Sequence, residues 1–491
     1  MRITIAASEC VPFSKTGGLA DVIGALPAAL ADLGNEVTVF LPLYRSTKLN
    51  DPQTVIGSLT VPFADQLRFC SVVDGGVHAG VRFYFIDHPP FFDRDGIYGT
   101  SAGDFPDNAL RYALFSRAVL EASKTLGPPD VFHCHDWQTA LVPVLLRLQY
   151  QDDPLLGRVP IVFTIHNLGY QGIFPPDVIP QLLLPGSAFT VQTLEFFGKV
   201  NFLKGGLVFA DHLTTVSRKY SQEIQTAEHG FALEGVVRER AAHLSGILNG
   251  VDYNQWSPEN DPYIAQKYSA QDLSGKAVCK RDLLAEFGIA DVDTQQPVIG
   301  IVSRFAVQKG FDLIAEVAGE LAKEELRVVI LGSGDRLYED LFRQLHKEYP
   351  QKFAVKVAYD NIIAHKIEAG ADMFLMPSRY EPCGLNQIYS LRYGTVPVVR
   401  ATGGLDDTVE QWNPRRGTGP GFRFTEYTPD ALLSAVRQAL TIFKDQTAWQ
   451  KIMRNGMAKD FSWNASAKEY ERVFEQVRKQ RGKSRTASHR P

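Results

Sequence analysis

Residues 15–18 (KTGG) place a lysine and two glycines directly after an apolar run that predicts a strand. Glycines let backbone N–H groups approach a ligand closely, and a helix N-terminus adds unpaired donors and about half a positive charge. The pattern therefore favours a site for an anion such as a phosphate. The alternative is a tight turn with a solvated lysine, since the pattern is neither a Walker loop nor a dinucleotide fingerprint. TGGL recurs at 402–405, and one interpretation is two similar turns that face the same ligand.

Two further cations, Arg304 and Lys309, flank a predicted strand-to-helix loop in the second half of the chain. The simplest interpretation is that both are solvated surface charges. A glycine-bearing turn at 331–335 (LGSGD) favours a joint role in binding. Arginine offers a planar fork to paired phosphate oxygens, and lysine offers a compact charge. We therefore expect Lys15, Arg304 and Lys309 to hold one diphosphate.

The stretch SRYEPCGLNQ places Glu381 just before a predicted helix that opens at Cys383-Gly384. An acidic residue there can simply complement the helix dipole. The functional alternative is a carboxylate that accepts hydrogen bonds from sugar hydroxyls. The amides of Leu385 and Asn386 would then face phosphates, so the type of side chain at 386 would matter little. We expect Cys383 to be a small packing residue rather than a nucleophile.

The run HCHD places His133 and His135 on one face of a predicted strand, with a spacing that metal ligands sometimes have. Strand alternation puts Cys134 and Asp136 on the other face. Nothing else in the sequence completes a tetrahedral ligand set. We therefore expect no metal ion, and a clamp of cations on the diphosphate would make a divalent ion dispensable.

Composition excludes several classes of protein. The chain has 491 residues, 45% of them hydrophobic, and a formal net charge of -4. This balance provides no broad basic field, so nucleic acid is not an expected partner. The sequence has no membrane-length apolar run and no signal-peptide pattern at its start, so we expect no membrane partner. The 5 scattered cysteines predict no disulfide framework and fit a reducing cytoplasm. Nothing in the sequence indicates the oligomeric state.

Short β-branched runs alternate with amphipathic helical segments along most of the chain. This alternation predicts parallel sheets covered by helices on both faces. The predicted strands are EVTVFLP, VRFYFID, DVFHCH, PIVFTIH and HLTTVS in the first half, and PVIGIVSR, LRVVILG, FAVKVAY, DMFLMPS and VPVVRA in the second. Turn signals at 246–262 predict a join between two doubly wound domains, with ligands bound in a cleft at the carboxyl ends of the strands.

Seven motifs in one order resemble bacterial glycogen synthases and plant starch synthases, from Met1 to about Val477. They are KTGGLADV, HCHDWQTA, HNLGYQG, NGVD, SRFAVQKG, EPCGLNQ and TGGLDDTV. The resemblance implies an α/β protein of GT-B type, with two Rossmann-like doubly wound domains that face each other across a deep cleft. It implies an N-terminal acceptor domain over 1–247, a nucleotide-sugar domain over 248–460, and a helix over 461–478 that returns to the first domain. We expect the polar, basic segment 479–491 to be disordered.

The resemblance also implies a retaining glucosyltransferase that moves glucose from ADP-glucose to the non-reducing-end 4-hydroxyl of an α-1,4-glucan, without a cofactor. The implied catalytic residues are Lys15, His166, Arg304, Lys309 and Glu381. The implied substrate-binding residues are Gly17, Gly18, Asp21, Tyr98, Asp136, Asn167, Asn249, Tyr359, Cys383, Gly384, Leu385 and Asn386. Among these, Tyr98 matches an aromatic residue near the sugars, and Tyr359 matches a platform under the adenine.

The mechanism expected for this chemistry needs positive charge near a departing diphosphate rather than a protonating acid. The resemblance further implies that the main-chain carbonyl of His166 stabilises the oxocarbenium-like sugar on the opposite face. A retaining glycosidase would instead need two carboxyl groups ~5–5.5 Å apart, such as Glu381 and Asp136, but the cations have no use in hydrolysis. The motifs also leave open a transferase with a different donor or acceptor, a non-catalytic glucan-binding protein, and a phosphorylase with a pyridoxal cofactor.

Overall fold

The computed structural model describes residues 1–289 and 295–487, with only the backbone of 482–487. Its internal contacts divide the chain into two compact units. The N-terminal unit comprises Met1–Val216, Ser221–Gly250 and the chain from Trp463 onward, and the C-terminal unit comprises Ser217–Tyr220 and Val251–Ser462. The crossing after Gly250 lies inside the predicted join. The assignment of one unit to the acceptor and of the other unit to the nucleotide sugar stays a prediction.

The chain up to Gly250 forms a large sheet, two small sheets and nine α-helices among the residues that the structure describes there. Its strands are β1 (Arg2–Ala6), β2 (Glu36–Pro42), β3 (Gln53–Pro62), β4 (Leu67–His78), β5 (Val81–Asp87), β6 (Gly99–Thr100), β7 (Gly103–Asp104), β8 (Val131–His135), β9 (Ile161–Ile165), β10 (Ile173–Phe174), β11 (Glu195–Phe196), β12 (Lys199–Asn201), β13 (His212–Thr215) and β14 (Leu244–Gly246). Its α-helices are α1 (Gly18–Asp32), α2 (Pro89–Phe92), α3 (Asn108–Leu126), α4 (Asp136–Thr139), α5 (Leu141–Leu148), α6 (Val178–Gln181), α7 (Phe202–Phe209), α8 (Arg218–Glu223) and α9 (Glu234–Glu239).

The large sheet has nine strands in the order β14-β13-β9-β8-β1-β2-β5-β4-β3. The seven strands from β14 to β5 are parallel, and their side chains are mostly buried because helices cover both faces. The last two strands, β4 and β3, are antiparallel, and β3 at the edge is largely exposed. Sequence analysis missed this hairpin, because β3 lacks the apolar run that marks a buried strand.

The C-terminal unit contains a parallel six-stranded sheet in the order β17-β16-β15-β18-β19-β20. Its strands are β15 (Val298–Val302), β16 (Arg327–Gly332), β17 (Phe353–Val357), β18 (Met373–Met376), β19 (Val396–Arg400) and β20 (Phe422–Phe424). After Gly250 the described chain forms the helices α10 (Ser274–Glu286), α11 (Phe311–Leu321), α12 (Arg336–Glu348), α13 (Asn361–Gly370), α14 (Asn386–Tyr393), α15 (Gly403–Thr408), α16 (Pro429–Phe443), α17 (Gln446–Met457) and α18 (Trp463–Ala487), the last of which belongs to the N-terminal unit. Two apolar clusters cover its opposite faces, with Ile299 in one and Val298 in the other. The ten predicted strands named above, and the strand predicted before the KTGG turn, are all present in the two sheets.

The final helix, α18, belongs to the N-terminal unit. Tyr470 and Phe474 on this helix are fully buried in the same apolar cluster as Ile3 and Ile5 of β1. The helix is longer than predicted, because it continues through residues 479–487 of the segment that we expected to be disordered. Arg481 Nη2 lies 2.6 Å from Asp211 Oδ1, an ion pair that ties this extension to the unit. Residues 488–491 of that segment lie outside the described residues.

Two further findings concern the chain as far as it is described. Within residues 1–289 and 295–487, no helix is both long enough and apolar enough to cross a lipid bilayer. The cysteines at 10, 70, 134, 279 and 383 are all buried free thiols. Cys383 is 5% exposed, in agreement with its expected packing role.

Candidate active site

The first set of site residues follows three adjacent strands of the N-terminal sheet. β8 pairs in parallel with β1 on one side and with β9 on the other. Lys15 lies in the loop after β1, Asp136 directly follows β8, and His166 directly follows β9. Because the carboxyl ends of parallel strands meet at one edge of the sheet, the fold brings these three residues to the same edge.

The glycine turn before α1 is open to solvent. A Cβ atom added at Gly17 or at Gly18 would meet no heavy atom within 4 Å. Gly17 has φ -151°, which is extended backbone that any residue adopts. Neither sterics nor conformation therefore requires glycine here, whereas close approach of a ligand to the backbone would. Lys15 Nζ lies 2.6 Å from Asp21 Oδ1, and both side chains are partly exposed.

Glu9 is a site residue that sequence analysis missed. Its side chain is 3% exposed and accepts hydrogen bonds from the backbone N–H and the hydroxyl of Thr16, from the backbone N–H of Gly17 and from the hydroxyl of Tyr98. The Gly17 amide is thus bound by Glu9 at 3.2 Å, which corrects our expectation that this amide faces a phosphate. Because Tyr98 donates to Glu9 at 2.5 Å, its hydroxyl supports the turn. A glutamate between a strand and a glycine turn carries no local pattern that would have revealed this role.

Asp136 begins α4 with φ +56°, a left-handed conformation that is uncommon for a residue other than glycine. Its Oδ1 accepts a hydrogen bond of 2.7 Å from the backbone N–H of His166, which fixes the backbone after β9. Burial raises the pKa of the Asp136 carboxyl to about 7, and the nearby charge of Glu9 acts in the same direction. The Asp136 carboxyl group therefore gains and loses its proton near neutral pH.

The two histidines of HCHD bond to other side chains. His133 Nε2 lies 2.7 Å from Thr164 Oγ1, and His135 Nδ1 lies 2.9 Å from His166 Nε2. Burial lowers the pKa of His133 and of His166 to about 3, so both are neutral. Across the described part of the chain, no three His, Cys, Asp or Glu side chains are grouped so that they could hold a metal ion.

Two predicted asparagines also lie in this unit, in loops that follow strands. Asn167 is half-buried and its Oδ1 accepts the backbone N–H of Gly169 at 2.9 Å. Asn249, in the loop after β14, is 6% exposed, and no residue that the structure describes bonds its buried Oδ1. An unsatisfied buried acceptor is costly, so Asn249 is suited to receive a hydrogen bond from a ligand.

The second set of site residues lies at the carboxyl edge of the C-terminal sheet, where β15 and β18 are neighbours. Lys309, in the loop after β15, places Nζ 2.6 Å from Oε2 of Glu381, in the loop after β18. Ser378 donates to the same Oε2 at 3.1 Å. Among the described residues none bonds Glu381 Oε1. Glu381 is only 5% exposed, so the site combines a buried carboxylate that has one free oxygen with a lysine beside it.

The loop after β15 packs against the glycine turn at 331–335. Phe305 donates its backbone N–H to Ser333 at 2.9 Å, and Asp335 donates its backbone N–H to Phe305 at 2.8 Å. Arg304, between these contacts and the strand, is exposed and only loosely held by Gln308, with Nη2 3.3 Å from Oε1. Its guanidinium is therefore available to an anion at this edge.

The start of α14 corrects one expectation. Gly384 has φ +71°, and Leu385 immediately precedes the helix, which starts at Asn386. The side chain of Asn386 donates to the carbonyl of Val302 at 2.7 Å and so ties α14 to the end of β15. The type of side chain at 386 therefore matters, contrary to our prediction, because this bond crosses between elements far apart in the sequence.

The second TGGL run has a packing function. A Cβ atom at Gly403 would lie 1.9 Å from the carbonyl oxygen of Glu381, and one at Gly404 would lie 2.0 Å from that of Cys383. Gly404 also donates its backbone N–H to the Glu381 carbonyl at 3.1 Å. These glycines let the backbone after β19 support the Glu381 loop, whereas a Cβ atom added at Gly17 or Gly18 would meet no heavy atom within 4 Å.

Tyr359 follows β17, the edge strand of the C-terminal sheet, and its side chain is 82% exposed. The ring therefore has a free face, which an adenine platform needs. Its position two strands away from β15 leaves that assignment a prediction.

Known proteins are similar to this chain over nearly its whole length. A family model described as the starch synthase catalytic domain matches residues 2–239, and one described as glycosyl transferases group 1 matches residues 285–456. A glycogen synthase of Koribacter versatilis is 65% identical over 481 residues, which cover 98% of this chain and 99% of that protein. The chain belongs to the glycogen synthase family.

Two more relatives support the assignment. A glycogen synthase of Anaeromyxobacter dehalogenans is 49% identical, over 96% of this chain and 98% of its own. The catalytic domain of starch synthase IV from Arabidopsis thaliana, solved with ADP and acarbose, has a TM-score of 0.88 and 31% identity, over 97% of this chain and 99% of that one. The predicted fold, with two Rossmann-like α/β domains of GT-B type, and the predicted glycosyltransferase activity of the glycogen and starch synthase kind are confirmed.

Proposed function

We propose that the protein transfers glucose from ADP-glucose to the 4-hydroxyl at the non-reducing end of an α-1,4-glucan, with retention of configuration and release of ADP. The observation that carries this proposal is the contact of 2.6 Å between Lys309 and the buried carboxylate of Glu381. This pair offers an acceptor for sugar hydroxyls and a cation for a phosphate at one point of the sheet edge. The related starch synthase that was solved with ADP and acarbose supports the choice of substrates.

The cations supply the charge that a departing diphosphate needs. A fixed donor that faces developing negative charge typically contributes ~2.7–4 kcal/mol of transition-state stabilisation. We assign this role to Arg304, Lys309, Lys15 and the amides of Gly18, Gly384 and Leu385. Lys15 is paired with Asp21 on the surface. Because such exposed pairs contribute only ~0.2–1 kcal/mol, a phosphate can replace or share the contact at small cost.

The sugar is held by oxygen atoms that have no partner among the described residues. Glu381 Oε1 accepts hydroxyl hydrogens of the donor glucose, and Asn249 Oδ1 accepts another hydrogen bond from the substrates. Asp136 and Asn167 lie at the carboxyl edge of the N-terminal sheet, beside His166. The main-chain carbonyl of His166 stabilises the oxocarbenium-like ring. The acceptor hydroxyl then attacks on the face that the diphosphate leaves, and the departing phosphate takes its proton.

The proposal is tested by incubating the protein with a glucan primer and either ADP-glucose or UDP-glucose, and by measuring the released diphosphate and the elongated glucan. We expect ADP release and elongation with ADP-glucose. Faster turnover of UDP-glucose would overturn the choice of donor. Release of free glucose from the glucan alone would favour the glycosidase alternative. Release of glucose 1-phosphate from glucan and phosphate, with absorbance from bound pyridoxal, would favour a phosphorylase.

A further inference from the structure

At the carboxyl edge of the N-terminal sheet, the ring of His166 is hydrogen-bonded to a second histidine. His135, the last residue of β8, places Nδ1 2.9 Å from Nε2 of His166, which follows the neighbouring strand β9. The backbone N–H of His166 is held by Asp136 at 2.7 Å. Both the backbone and the ring of His166 are therefore fixed by residues at the end of β8.

Both rings are neutral. Burial lowers the pKa of His166 to about 3 and lowers the pKa of His135 well below its ordinary value, with His133 and His166 acting in the same direction on His135. A neutral imidazole carries its proton on one nitrogen only, and the hydrogen bond of the other nitrogen decides which one. The bond between the two rings can therefore be donated by His135 or by His166, and each choice fixes both tautomers.

The surroundings of His135 decide between these choices. Its side chain is fully buried, and no described residue bonds its Nε2. If His166 donated, His135 would carry its proton on Nε2, and this N–H would be buried without an acceptor. Such orphaned donors are rare in proteins, because burial removes their hydrogen bonds to water without replacing them. If His135 donates from Nδ1, its Nε2 carries a lone pair and no hydrogen. A buried acceptor without a partner is better tolerated than a buried N–H group without one.

We propose that His135 is a positioning residue that holds His166 in the tautomer with its proton on Nδ1. Nε2 of His166 then accepts the hydrogen bond from His135, and Nδ1 presents an N–H group. Among the described residues none bonds this Nδ1, and His166 is half-buried at the edge that carries Asp136 and Lys15. His166 thus offers a donor to an oxygen of the substrate, either a sugar hydroxyl or a phosphate oxygen. This last step rests on the proposed function, whereas the tautomer does not.

The tautomer is tested on the full-length wild-type protein labelled with ¹⁵N-histidine, by solid-state NMR at neutral pH. Protonated and unprotonated imidazole nitrogens have well-separated ¹⁵N shifts, and a spectrum of His166→Asn identifies the signals of His166 by their loss. We expect a protonated Nδ1 and an unprotonated Nε2. A protonated Nε2 in His166 would overturn the proposal. This measurement needs no activity, so it remains decisive even if the proposed reaction is wrong.

The role of His135 is tested with two substitutions. His135→Phe keeps a buried ring but removes the donor, and we expect mixed tautomers of His166 and a loss in kcat of about tenfold. His135→Asn can place an amide N–H near the position of Nδ1, and we expect it to restore the tautomer and most of kcat. His133→Gln is the matched control, because His133 bonds Thr164 and not His166. A folded His135→Phe protein with unchanged kcat and an unchanged His166 spectrum would exclude the positioning role.

Discussion

The buried histidines make stability depend on pH in a way that one substitution can isolate. His133 is fully buried, and burial lowers its pKa from 6.5 to about 3. Below pH ~6.5 the unfolded chain therefore binds a proton at this residue that the folded protein does not bind, so the free energy of unfolding falls as the pH falls. With these values His133 costs about 1.4 kcal/mol of stability at pH ~5.5 and almost none at pH ~7.5.

His133→Gln removes this titration but keeps a side chain that can reach Thr164, which His133 bonds at 2.7 Å. Whatever the variant loses in packing, its free energy of unfolding relative to wild type should improve by about 1.4 kcal/mol when the pH is lowered from ~7.5 to ~5.5. The remaining titrating groups are present in both proteins and largely cancel in this difference. Urea unfolding at 25 °C, followed by tryptophan fluorescence, gives both free energies at each pH.

The matched control is Phe474→Leu. The ring of Phe474 lies 5.3 Å from that of His133, so this substitution weakens the same packing without removing a titrating group. We expect its destabilisation to be the same at both pH values. If the difference between His133→Gln and wild type is also independent of pH, then His133 titrates alike in the folded and unfolded chain, and the reasoning from burial is refuted.

Glu9→Gln replaces a carboxylate with an amide whose NH2 group cannot accept hydrogen bonds from the N–H groups of Thr16 and Gly17. We therefore expect the glycine turn to be less well held and KM for ADP-glucose to rise about tenfold. An unchanged KM in an assay of ADP release would contradict the role of Glu9. Asn386→Ala should lower the free energy of unfolding by about 1 kcal/mol in urea, because the bond to the Val302 carbonyl is lost. Glu381→Gln should reduce kcat by about 10–100-fold with little change in the urea midpoint, and near-normal turnover would remove its assigned role. Activity should persist in excess EDTA, and a loss that Mg²⁺ restores would show that a metal ion takes part.

Much of the fold could be predicted because it depends on local pattern. Buried parallel strands such as β15 are apolar almost throughout, and the intervening helices repeat their apolar residues every three or four positions. The candidate site was predictable for the same reason, since Lys15, Asp136, His166 and Glu381 each follow a predicted strand. Parallel strands then bring those positions to one edge within each sheet.

The antiparallel edge of the N-terminal sheet could not be predicted in this way. β3 is held by pairing with β4, and β4 by pairing with β3 and β5, rather than by two covered faces, so their side chains show no continuous apolar run. The length of α18 also depended on contacts far away in the sequence, such as the pair of Arg481 with Asp211. In both cases the stabilising partner is absent from the local sequence.

The sequence by itself determined the order of the buried parallel strands and of the helices between them, the chemistry-bearing residues of the seven motifs and the family to which they belong. Only the tertiary structure decided which partner each polar group has: Glu9 for the amides of the glycine turn, Val302 for Asn386 and His135 for His166. The physical reason is that periodicity reports the burial of a side chain along its own element. A hydrogen bond between two elements depends on which strands become neighbours, and this emerges only when the sheet is assembled.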